Sequence, residues 1–404
     1  MENSKMSSFK ILIGYPYYPA KDTYGDVEKI YIAYVERLKK AGFDVEAFCL
    51  TLNPPSYNLT FKELDQRWRR GDKFLLDMYE KLEKALEGKD VFINWSGINL
   101  HPEFVKKLSV FSVFQCFDDP ESSADLSKPV ASAYDLCLVG NIAEVDTYRS
   151  WGVRFAEWSP LGFQSTIYDP NLTYSKIINS ERDIDLFLMM DRTAPWRSER
   201  VNKLAQAFPD AHFYGRGWPR GYLSNVKELE YLRRTKIGPN IHNSTGPINY
   251  RTFYLPANGV MQICDNKSHL GKIYELGKEV VGFDTMEECI ELCRYYLVHD
   301  QERREIAANG WKRAITDYNE IAIFNRKIKI IETYILPRVQ KQKTKSIALS
   351  QFKSTSKQRL RYALYSPFVL VFRALESVAK KISRRYLPEE WRKTLKWINV
   401  KLYE

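Results

Sequence analysis

The sequence predicts an α/β protein in which two Rossmann-like halves face each other across a cleft, followed by a basic α-helical tail. Three observations lead to this fold class. Short apolar runs of the kind buried in parallel sheets alternate with segments of helical spacing along most of the chain. This series of strands and helices begins twice, near residue 9 and again near residue 184. Hydrophobic residues make up 44% and charged residues 27% of the 404 residues, which is typical of packed globular domains and not of disordered chains.

The first half opens with a strand, a helix and a second strand, which together predict a right-handed βαβ unit. An apolar run predicts the strand at 9–15, helical spacing predicts a helix from Val27 to Ala41, and residues 43–50 form the second predicted strand. The elements predicted after them are a long helix, a strand, a short helix, two strands and a last helix, at 61–86, 90–95, 102–108, 110–117, 136–139 and through Tyr148. We expect this domain to span residues 1–167.

The second half repeats the alternation and begins with a predicted strand from Ile184 to Met190. Helices are predicted at 197–208, 287–297 and 301–318, and further strands at 211–214, 236–241, 260–264 and 279–283. We expect this domain to span residues 168–336. Because open parallel sheets bind ligands at the carboxyl ends of their strands, the cleft between the two halves is the expected binding site.

Residues 337–404 lie outside both halves and carry the positive charge of the chain. Residues 338–404 hold 17 of the 61 basic and 4 of the 50 acidic residues, a net charge of +13, which leaves −2 for the remainder. From residue 358 onward, apolar and basic residues interleave and include Trp391 and Trp397, a pattern typical of helices that lie on anionic membranes. We therefore expect 358–404 to bind an anionic membrane surface. A partner protein, nucleic acid or an internally packed hairpin would suit the same composition, but the neutral body does not favour nucleic acid as a partner.

Cysteine usage and the N-terminus predict a cytoplasmic protein. Together with the basic tail, they predict a peripheral protein at the cytoplasmic face of the membrane. The six cysteines are scattered, mostly within apolar runs, and form no CxxC pair, which favours buried hydrophobic side chains over a zinc site. The first residues lack the apolar core of a secretion signal. The apolar runs are all far shorter than the ~20 residues that span a bilayer.

Six segments carry a resemblance to a known family. They are FDDPE at 117–121, YRSWGV at 148–153 with SPLG at 159–162, YGRGW at 214–218, KIGPNIH at 236–242, RTFYLPANG at 251–259, and YYLVHD at 295–300. In order and spacing they resemble the CgeB-like (spore maturation protein) glycosyltransferases, a branch of the GT-B superfamily of the group 1 type. The resemblance covers roughly residues 8–330.

The resemblance implies a GT-B fold and a metal-independent glycosyltransferase. Such an enzyme moves a sugar from a nucleotide-diphosphate sugar to a hydroxyl group, expected here on an envelope glycan, a lipid-linked acceptor or a protein. The leaving diphosphate is then stabilised by basic side chains and a helix N-terminus, so that no metal or other cofactor is expected. Two alternatives stay open: an inactive scaffold of the same fold that the tail recruits to a membrane or partner, and a nucleic-acid-binding protein supported by the tail alone.

Five residues are candidates for contact with the donor. Arg251 is the first choice, because it precedes a predicted helix, the resembling family has an arginine there, and a guanidinium pairs well with phosphate. Lys236 and Arg216 are second choices, with exposed strand-end charges as the alternative. Arg197, where the family also has an arginine, would support the nucleotide-side loop or form a surface ion pair. Gly14 ends the first strand, and the loop after it would form the other wall of the cleft or be an ordinary βα loop.

Tyr254 is expected in the donor site but departs from the family pattern. Related enzymes place a glutamate at this position, three residues before the alanine of the Ala-x-Gly segment, where it holds the ribose hydroxyls. A phenol cannot clamp a diol as a carboxylate does. An altered nucleotide contact, a shifted alignment or an inactive member would each account for the tyrosine.

The candidate catalytic groups of the first half follow predicted strands. His101 and Asp119, with Asp118 beside it, would supply a general base if the transfer inverts the anomeric centre, whereas a retaining transfer needs no base. The alternatives are a histidine packed at the start of the next helix and an aspartate that forms a turn before proline. His242 and His299 are assigned no role.

Overall fold

The structure is a computed structural model of the chain, and it describes residues 9–16, 27–52, 59–95, 99–192 and 195–339. The chain divides into two compact units, one formed by residues 1–64 and 81–347 and the other by residues 65–80 and 348–404. The first unit contains both of the halves predicted from the sequence. Of the second unit, only residues 65–80 are described.

The first half is built on a parallel sheet of six strands. They are β1 (Ile11–Tyr15), β2 (Val45–Cys49), β3 (Val91–Trp95), β4 (Phe111–Cys116), β5 (Leu136–Val139) and β6 (Ala156–Trp158). The spatial order is β2-β1-β3-β4-β5-β6, so the direction of winding reverses between β1 and β3. Strands β1, β4 and β5 are buried along their whole length, which explains their continuous apolar sequences.

Helices lie between most of these strands. They are α1 (Val27–Lys40), α2 (Phe61–Arg69), α3 (Lys73–Ala85), α4 (Pro102–Val105) and α5 (Val145–Ser150). Short helical turns at Ser123–Ser127, Ala131–Ala133 and Ile142–Glu144 lie in the loops after β4 and β5. Helix α1 ends before Gly42, whose φ of 93° lies in the left-handed region that glycine adopts without strain.

Residues 65–80 comprise the end of α2, a turn and the start of α3. The sequence predicts a single helix over 61–86, and the structure breaks it in two at this turn. Gly71 has a φ of 63°, and the Asp72 carboxylate accepts the backbone N–H of Phe74 at 2.9 Å. This side chain therefore caps α3 and competes with continuation of the helix.

The second half contains a parallel sheet of five strands. They are β7 (Ile184–Met189), β8 (His212–Tyr214), β9 (Thr235–Asn240), β10 (Met261–Cys264) and β11 (Val281–Gly282). Their order is β11-β10-β9-β7-β8, and every paired strand is parallel to its neighbour. The winding reverses between β7 and β9. That point is where an open α/β sheet usually binds its ligand, at the carboxyl ends of the strands.

Seven helices in the described chain accompany this sheet. They are α6 (Tyr174–Asn179), α7 (Pro195–Ala207), α8 (Asn225–Arg234), α9 (Arg251–Ala257), α10 (Lys267–Leu270), α11 (Met286–Val298) and α12 (Asp300–Asp317). Helix α11 buries Cys289 and Cys293 in the core. All six cysteines are free thiols and five are buried, so the expectation of small apolar side chains is confirmed.

The last described helix, α13 (Glu320–Val339), returns to the first half. Phe324, Ile328, Ile331 and Ile335 repeat every three or four residues and pack among the apolar side chains of the first sheet. The predicted boundary at 336 assigns these residues to the second domain, whereas their packing assigns them to the first. The reason is that one helical face is apolar, and the first sheet offers the surface that buries it.

Among the described residues, no helix is long and apolar enough to cross a membrane. The predicted tail beyond residue 339 and the loop after β1 that was expected to form a cleft wall lie outside the described residues.

Candidate functional site

Arg251 lies at the point where the winding of the second sheet reverses. It is the first residue of α9, two residues before the expected helix start. Its Nε donates to Asn240 Oδ1 at 3.1 Å, at the end of β9, and its Nη1 donates to the Met189 carbonyl at 3.1 Å, at the end of β7. Both acceptors are neutral, so these hydrogen bonds orient the guanidinium without neutralising its charge.

Arg197 brings a second guanidinium to the same place. It lies in the first turn of α7 and is 8% exposed, and its Nε is buried with no hydrogen-bond partner in the described part of the chain. Burial and the neighbouring charge of Arg251 both lower the pKa of Arg197. The charges of Asp191, Asp265 and Glu121 act on the pKa of Arg197 in the opposite direction. Arg197 and Arg251 are two neighbouring guanidinium groups, and Arg197 lies in the first turn of a 13-residue helix, which is a combination that can bind an anion.

A buried polar network lies next to Arg251 and fixes its position. Asn240 is held by Thr252 and Gln262, its Nδ2 donating to their oxygens at 3.2 and 2.9 Å. His242 lies between Asp265 and Thr252, with its Nδ1 2.6 Å from the Asp265 carboxylate and its Nε2 3.1 Å from the Thr252 hydroxyl. These contacts fix the carboxyl ends of β9 and β10 and the first turn of α9, so the position of Arg251 is set by side chains that are themselves immobilised.

The protonation states of this network follow from burial and charge. Burial lowers the pKa of His242. Burial disfavours the charged form of Asp265 as well, but the hydrogen bond from His242 and the charge of Arg200, 3.0 Å away, outweigh it and lower the pKa of Asp265. Neutral His242 therefore donates through Nδ1 to an ionised Asp265.

His242, Cys264 and Asp265 place one ligand atom each within 4.8 Å of one another, which is the spacing of a candidate metal centre. The chemistry of the donors favours a hydrogen-bond network instead. In the network as it stands, burial raises the pKa of Cys264 well above its usual value. Asp265 is already compensated by Arg200 and His242.

The remaining basic candidates occupy different positions. Arg216 follows β8 on the same edge of the sheet, where its backbone N–H donates to Asp191 at 3.0 Å and its Nε lies 3.7 Å from the same carboxylate. Lys236 lies near the opposite end of β9 and forms a 2.6 Å ion pair with Asp185. Four residues of strand, about 13 Å, separate it from Asn240. This distance argues against the expected donor contact of Lys236, because it cannot share a diphosphate with Arg251.

Tyr254 does not face an open site. It is buried at 6% exposure, and its hydroxyl donates to the carboxylate of Glu228 at 2.8 Å. Burial raises the pKa of Tyr254 and that of Glu228. The phenol therefore fills the core beneath α9 and is hydrogen-bonded to another buried group, which argues against the direct donor contact expected from its place in the segment.

Two candidates on the first half, Asp119 and His101, are enclosed. Asp119 is 2% exposed and accepts hydrogen bonds from Tyr148 and, at 2.7 Å, from Ser127, while burial raises its pKa. His101 is the N-cap of α4 and accepts the Glu103 N–H at 3.3 Å, the alternative considered from the sequence. These contacts are structural, so neither side chain presents a free base to the cleft.

Gly14 is packed within the first half. A Cβ at this position would lie 2.9 Å from a Leu50 methyl carbon and 3.0 Å from the Phe92 ring. Glycine is therefore required by close packing against side chains of β3 and of the residue that follows β2, and a role for Gly14 in ligand binding stays a prediction.

Sequence reasoning missed Asn240, His242 and Asp265. A signal was present, since these polar residues stand at or directly after the carboxyl ends of the neighbouring strands β9 and β10. Each was overlooked because it is isolated in the sequence, and the hydrogen bonds that join Asn240 and His242 to Thr252, and His242 to Asp265, connect positions up to 23 residues apart.

Comparison with known proteins agrees with this geometry. Residues 194–323 match the family model described as "Glycosyl transferase-like", and this segment contains Arg197, Arg251 and the network beneath them. Among curated proteins, none matches the sequence significantly.

Solved structures resemble the chain over most of its length. HepE from Anabaena, in complex with UDP-glucose, has 13% sequence identity and a TM-score of 0.52, covering 80% of this chain and 100% of its own. Sucrose-phosphate synthase from Thermosynechococcus elongatus has 12% identity and a TM-score of 0.51, covering 81% and 99%. A glycosyltransferase from Rickettsia africae has 14% identity and a TM-score of 0.51, covering 81% and 98%. The fold is GT-B, as predicted, and the CgeB-like subtype stays a prediction.

Proposed function

We propose that this protein is a glycosyltransferase that transfers a sugar from a nucleotide-diphosphate sugar to a hydroxyl acceptor. The donor diphosphate would lie against Arg251 and Arg197, at the carboxyl ends of β7 and β9 and the start of α7. The observation that carries the proposal is the buried Nε of Arg197, which has no hydrogen-bond partner among the described residues, beside an Arg251 that is hydrogen-bonded to neutral acceptors. Two guanidinium groups held close together repel each other, and a bound anion would relieve that repulsion.

The chemistry of transfer explains why such a pair would be useful. When the anomeric C–O bond breaks, the nucleoside diphosphate leaves with growing negative charge. Guanidinium groups fixed in advance stabilise that charge without reorganisation, and the start of α7 adds backbone dipoles of the same sign. Because these groups supply the positive charge, we propose that the reaction needs no metal, which predicts that a chelator leaves activity unchanged.

The acceptor is proposed from the family resemblance and from the charge of the tail. The resemblance favours an envelope glycan, a lipid-linked glycan or a protein, and the basic tail, with its net charge of +13, favours an acceptor at an anionic membrane surface. We propose that the protein works in the cytoplasm as a peripheral protein at the membrane. In the first half, Asp118 is exposed beside the enclosed Asp119 and is the more accessible of the two carboxylates.

Calorimetric titration with nucleotide diphosphates tests the proposal. UDP is the first probe, because HepE was crystallised with UDP-glucose, and GDP, ADP and TDP follow. We expect one of them to bind, and Arg251→Ala and Arg197→Ala each to weaken binding at least tenfold, since a hydrogen bond to a charged group contributes about 1.5–3 kcal/mol. Lys203→Ala is the matched control, because Lys203 lies on α7 but pairs with Glu287 at 3.2 Å. Equal affinity in all variants would remove the two arginines from the site.

An inactive scaffold of the same fold is the second candidate. It is favoured by Tyr254, whose hydroxyl is committed to Glu228 and leaves the position without a carboxylate for the ribose. The same titration separates the two functions. If no nucleotide diphosphate or nucleotide sugar binds, the scaffold becomes the better interpretation.

A further inference from the structure

The loop between β9 and α9, residues 241–250, extends from the second half to the first. It begins beside His242 and ends at Arg251, so both of its ends belong to the candidate donor site. Its middle contacts the first half, where Ser244 and Thr245 approach the segments that follow β4 and β5. The loop therefore joins the donor site to the opposite wall of the cleft.

Asn141 makes most of this connection. Its Nδ2 lies 3.0 Å from both the Ser244 and the Thr245 hydroxyl oxygens and 3.2 Å from the Asp119 carbonyl. Its Oδ1 accepts the Ala143 N–H at 3.1 Å and so caps the helical turn that follows. The side chain is 1% exposed, so water cannot replace these bonds.

Two further contacts fix the loop at the same place. The Thr245 hydroxyl donates to the Glu144 carboxylate at 2.6 Å. Gly246 packs so closely on the first half that a Cβ there would lie 2.3 Å from Asn141 Oδ1 and 3.1 Å from the Ala143 Cβ. Hydrogen bonds and close packing thus hold residues 244–246 against the first half.

We propose that Asn141 is a positioning residue that sets the separation between the bound donor and the acceptor side of the cleft. The inference rests on the proposed function, in which Arg197 and Arg251 of the second half hold the donor diphosphate. A nucleotide diphosphate alone touches only that half. Transfer also requires the acceptor hydroxyl, delivered from the first half, to reach the anomeric carbon at bonding distance, and reaction rates depend steeply on such a distance.

Gly246→Ala is the main test variant, because it pushes the loop away without removing any hydrogen-bonding group. Asn141→Ala is the second, since it removes the amide without adding bulk. Gly271→Ala is the matched control: its Cβ would meet its nearest neighbour, a Leu276 methyl carbon, at 3.4 Å, an ordinary contact. All three are made in the full chain.

Hydrogen–deuterium exchange and turnover are the two measurements. We expect exchange of the 139–146 and 241–250 segments to become at least tenfold faster in both test variants and to be unchanged in the control. With the nucleotide diphosphate that the wild-type protein binds best, we expect Kd to stay within threefold. Turnover of the corresponding nucleotide sugar, by transfer or by hydrolysis, should fall at least tenfold.

The outcomes separate this inference from the proposed function. Unchanged exchange in both test variants would overturn the role of Asn141, even if nucleotides bind. A rise in Kd that matches the fall in turnover would also overturn it, because the loop would then only shape the donor site. If the wild-type protein binds no nucleotide, the proposed function fails, and faster exchange in both segments would still support the contact between loop and first half.

Discussion

Replacing Lys327 by methionine should stabilise the protein at acidic and neutral pH. Lys327 lies on α13 and is 2% exposed; its Nζ is 3.0 Å from the Gln115 side-chain oxygen and 4.8 Å from the centre of the Trp95 ring. Both partners are neutral. Burial lowers the pKa of this lysine from 10.5 to about 7, so the folded protein holds the charged form only at a cost.

The magnitude and the sign follow from this pKa. A difference of 3.5 pKa units corresponds to about 5 kcal/mol, an upper estimate of the cost of Lys327 when it is charged in both states. That cost is fully present below about pH 7 and fades as the pH rises toward 10.5, because there the unfolded chain binds the proton and the folded chain does not. Between pH 6 and pH 9, this group alone should raise the free energy of unfolding by about 2.5 kcal/mol.

Urea unfolding followed by circular dichroism, at pH 6 and at pH 9, measures the effect. Lys327→Met keeps the volume of the side chain and removes the titrating group, at a loss of about 1–3 kcal/mol for the unpaired Gln115 oxygen. At pH 6 the variant should therefore be more stable by roughly 2–4 kcal/mol. Its advantage should shrink by about 2.5 kcal/mol at pH 9.

Lys329→Met, an exposed position on the same helix, is the matched control and should change neither value by more than about 0.5 kcal/mol. The reasoning is refuted if Lys327→Met and the wild-type protein gain the same stability between pH 6 and pH 9. It is refuted as well if the variant is less stable at both.

Three further predictions concern the site and the tail. Arg251→Ala should lower transfer at least tenfold in a radiolabelled-sugar assay while circular dichroism stays unchanged, and activity within twofold of the parent would remove Arg251 from the site. Tyr254→Phe should lower the free energy of unfolding by about 1–3 kcal/mol, because buried Glu228 loses its donor, with nucleotide affinity unchanged; a tenfold weaker affinity would restore Tyr254 to the site. Deleting residues 345–404 should abolish cosedimentation with anionic vesicles and leave nucleotide binding intact. In the full chain, salt should weaken the cosedimentation. A truncated protein that aggregates would show that the tail packs on the body.

The strands that are buried along their whole length were predictable, because each is a short apolar run covered on both faces. Strand β6 was not predicted, because its three residues, one of them a glutamate, form no such run. The sequence of β1 or β5 contains all the information that this inference needs. The packing partner of helix α13, in contrast, could not be predicted. Its apolar spacing is visible in the sequence, but only the folded chain shows that Phe324 and Ile328 pack on the first sheet, whose strands lie far away in the sequence.

The candidate site likewise contains residues that could be predicted from the sequence and residues that could not. Arg251 and Arg197 were identified individually, and the structure brings them together at the point where the winding of the sheet reverses. Lys236 was chosen because strand-end charges look alike in a sequence, although one end of a strand faces the cleft and the other does not. Tyr254 was assigned to the site from its place in a segment, but helical rotation turns its hydroxyl to Glu228 in the core.

The two halves of the molecule differ in how their candidate residues are placed. Residues 194–323, which match the glycosyltransferase-like model, contain both guanidinium groups and the His242–Asp265 network beneath Arg251. In the first half, the side chains expected to act on an acceptor are buried and hydrogen-bonded to their own domain. The 241–250 loop links the two halves physically, because its contacts with Asn141 make the position of one half depend on that of the other. Measurements on that loop consequently probe the acceptor side without requiring that the acceptor be known.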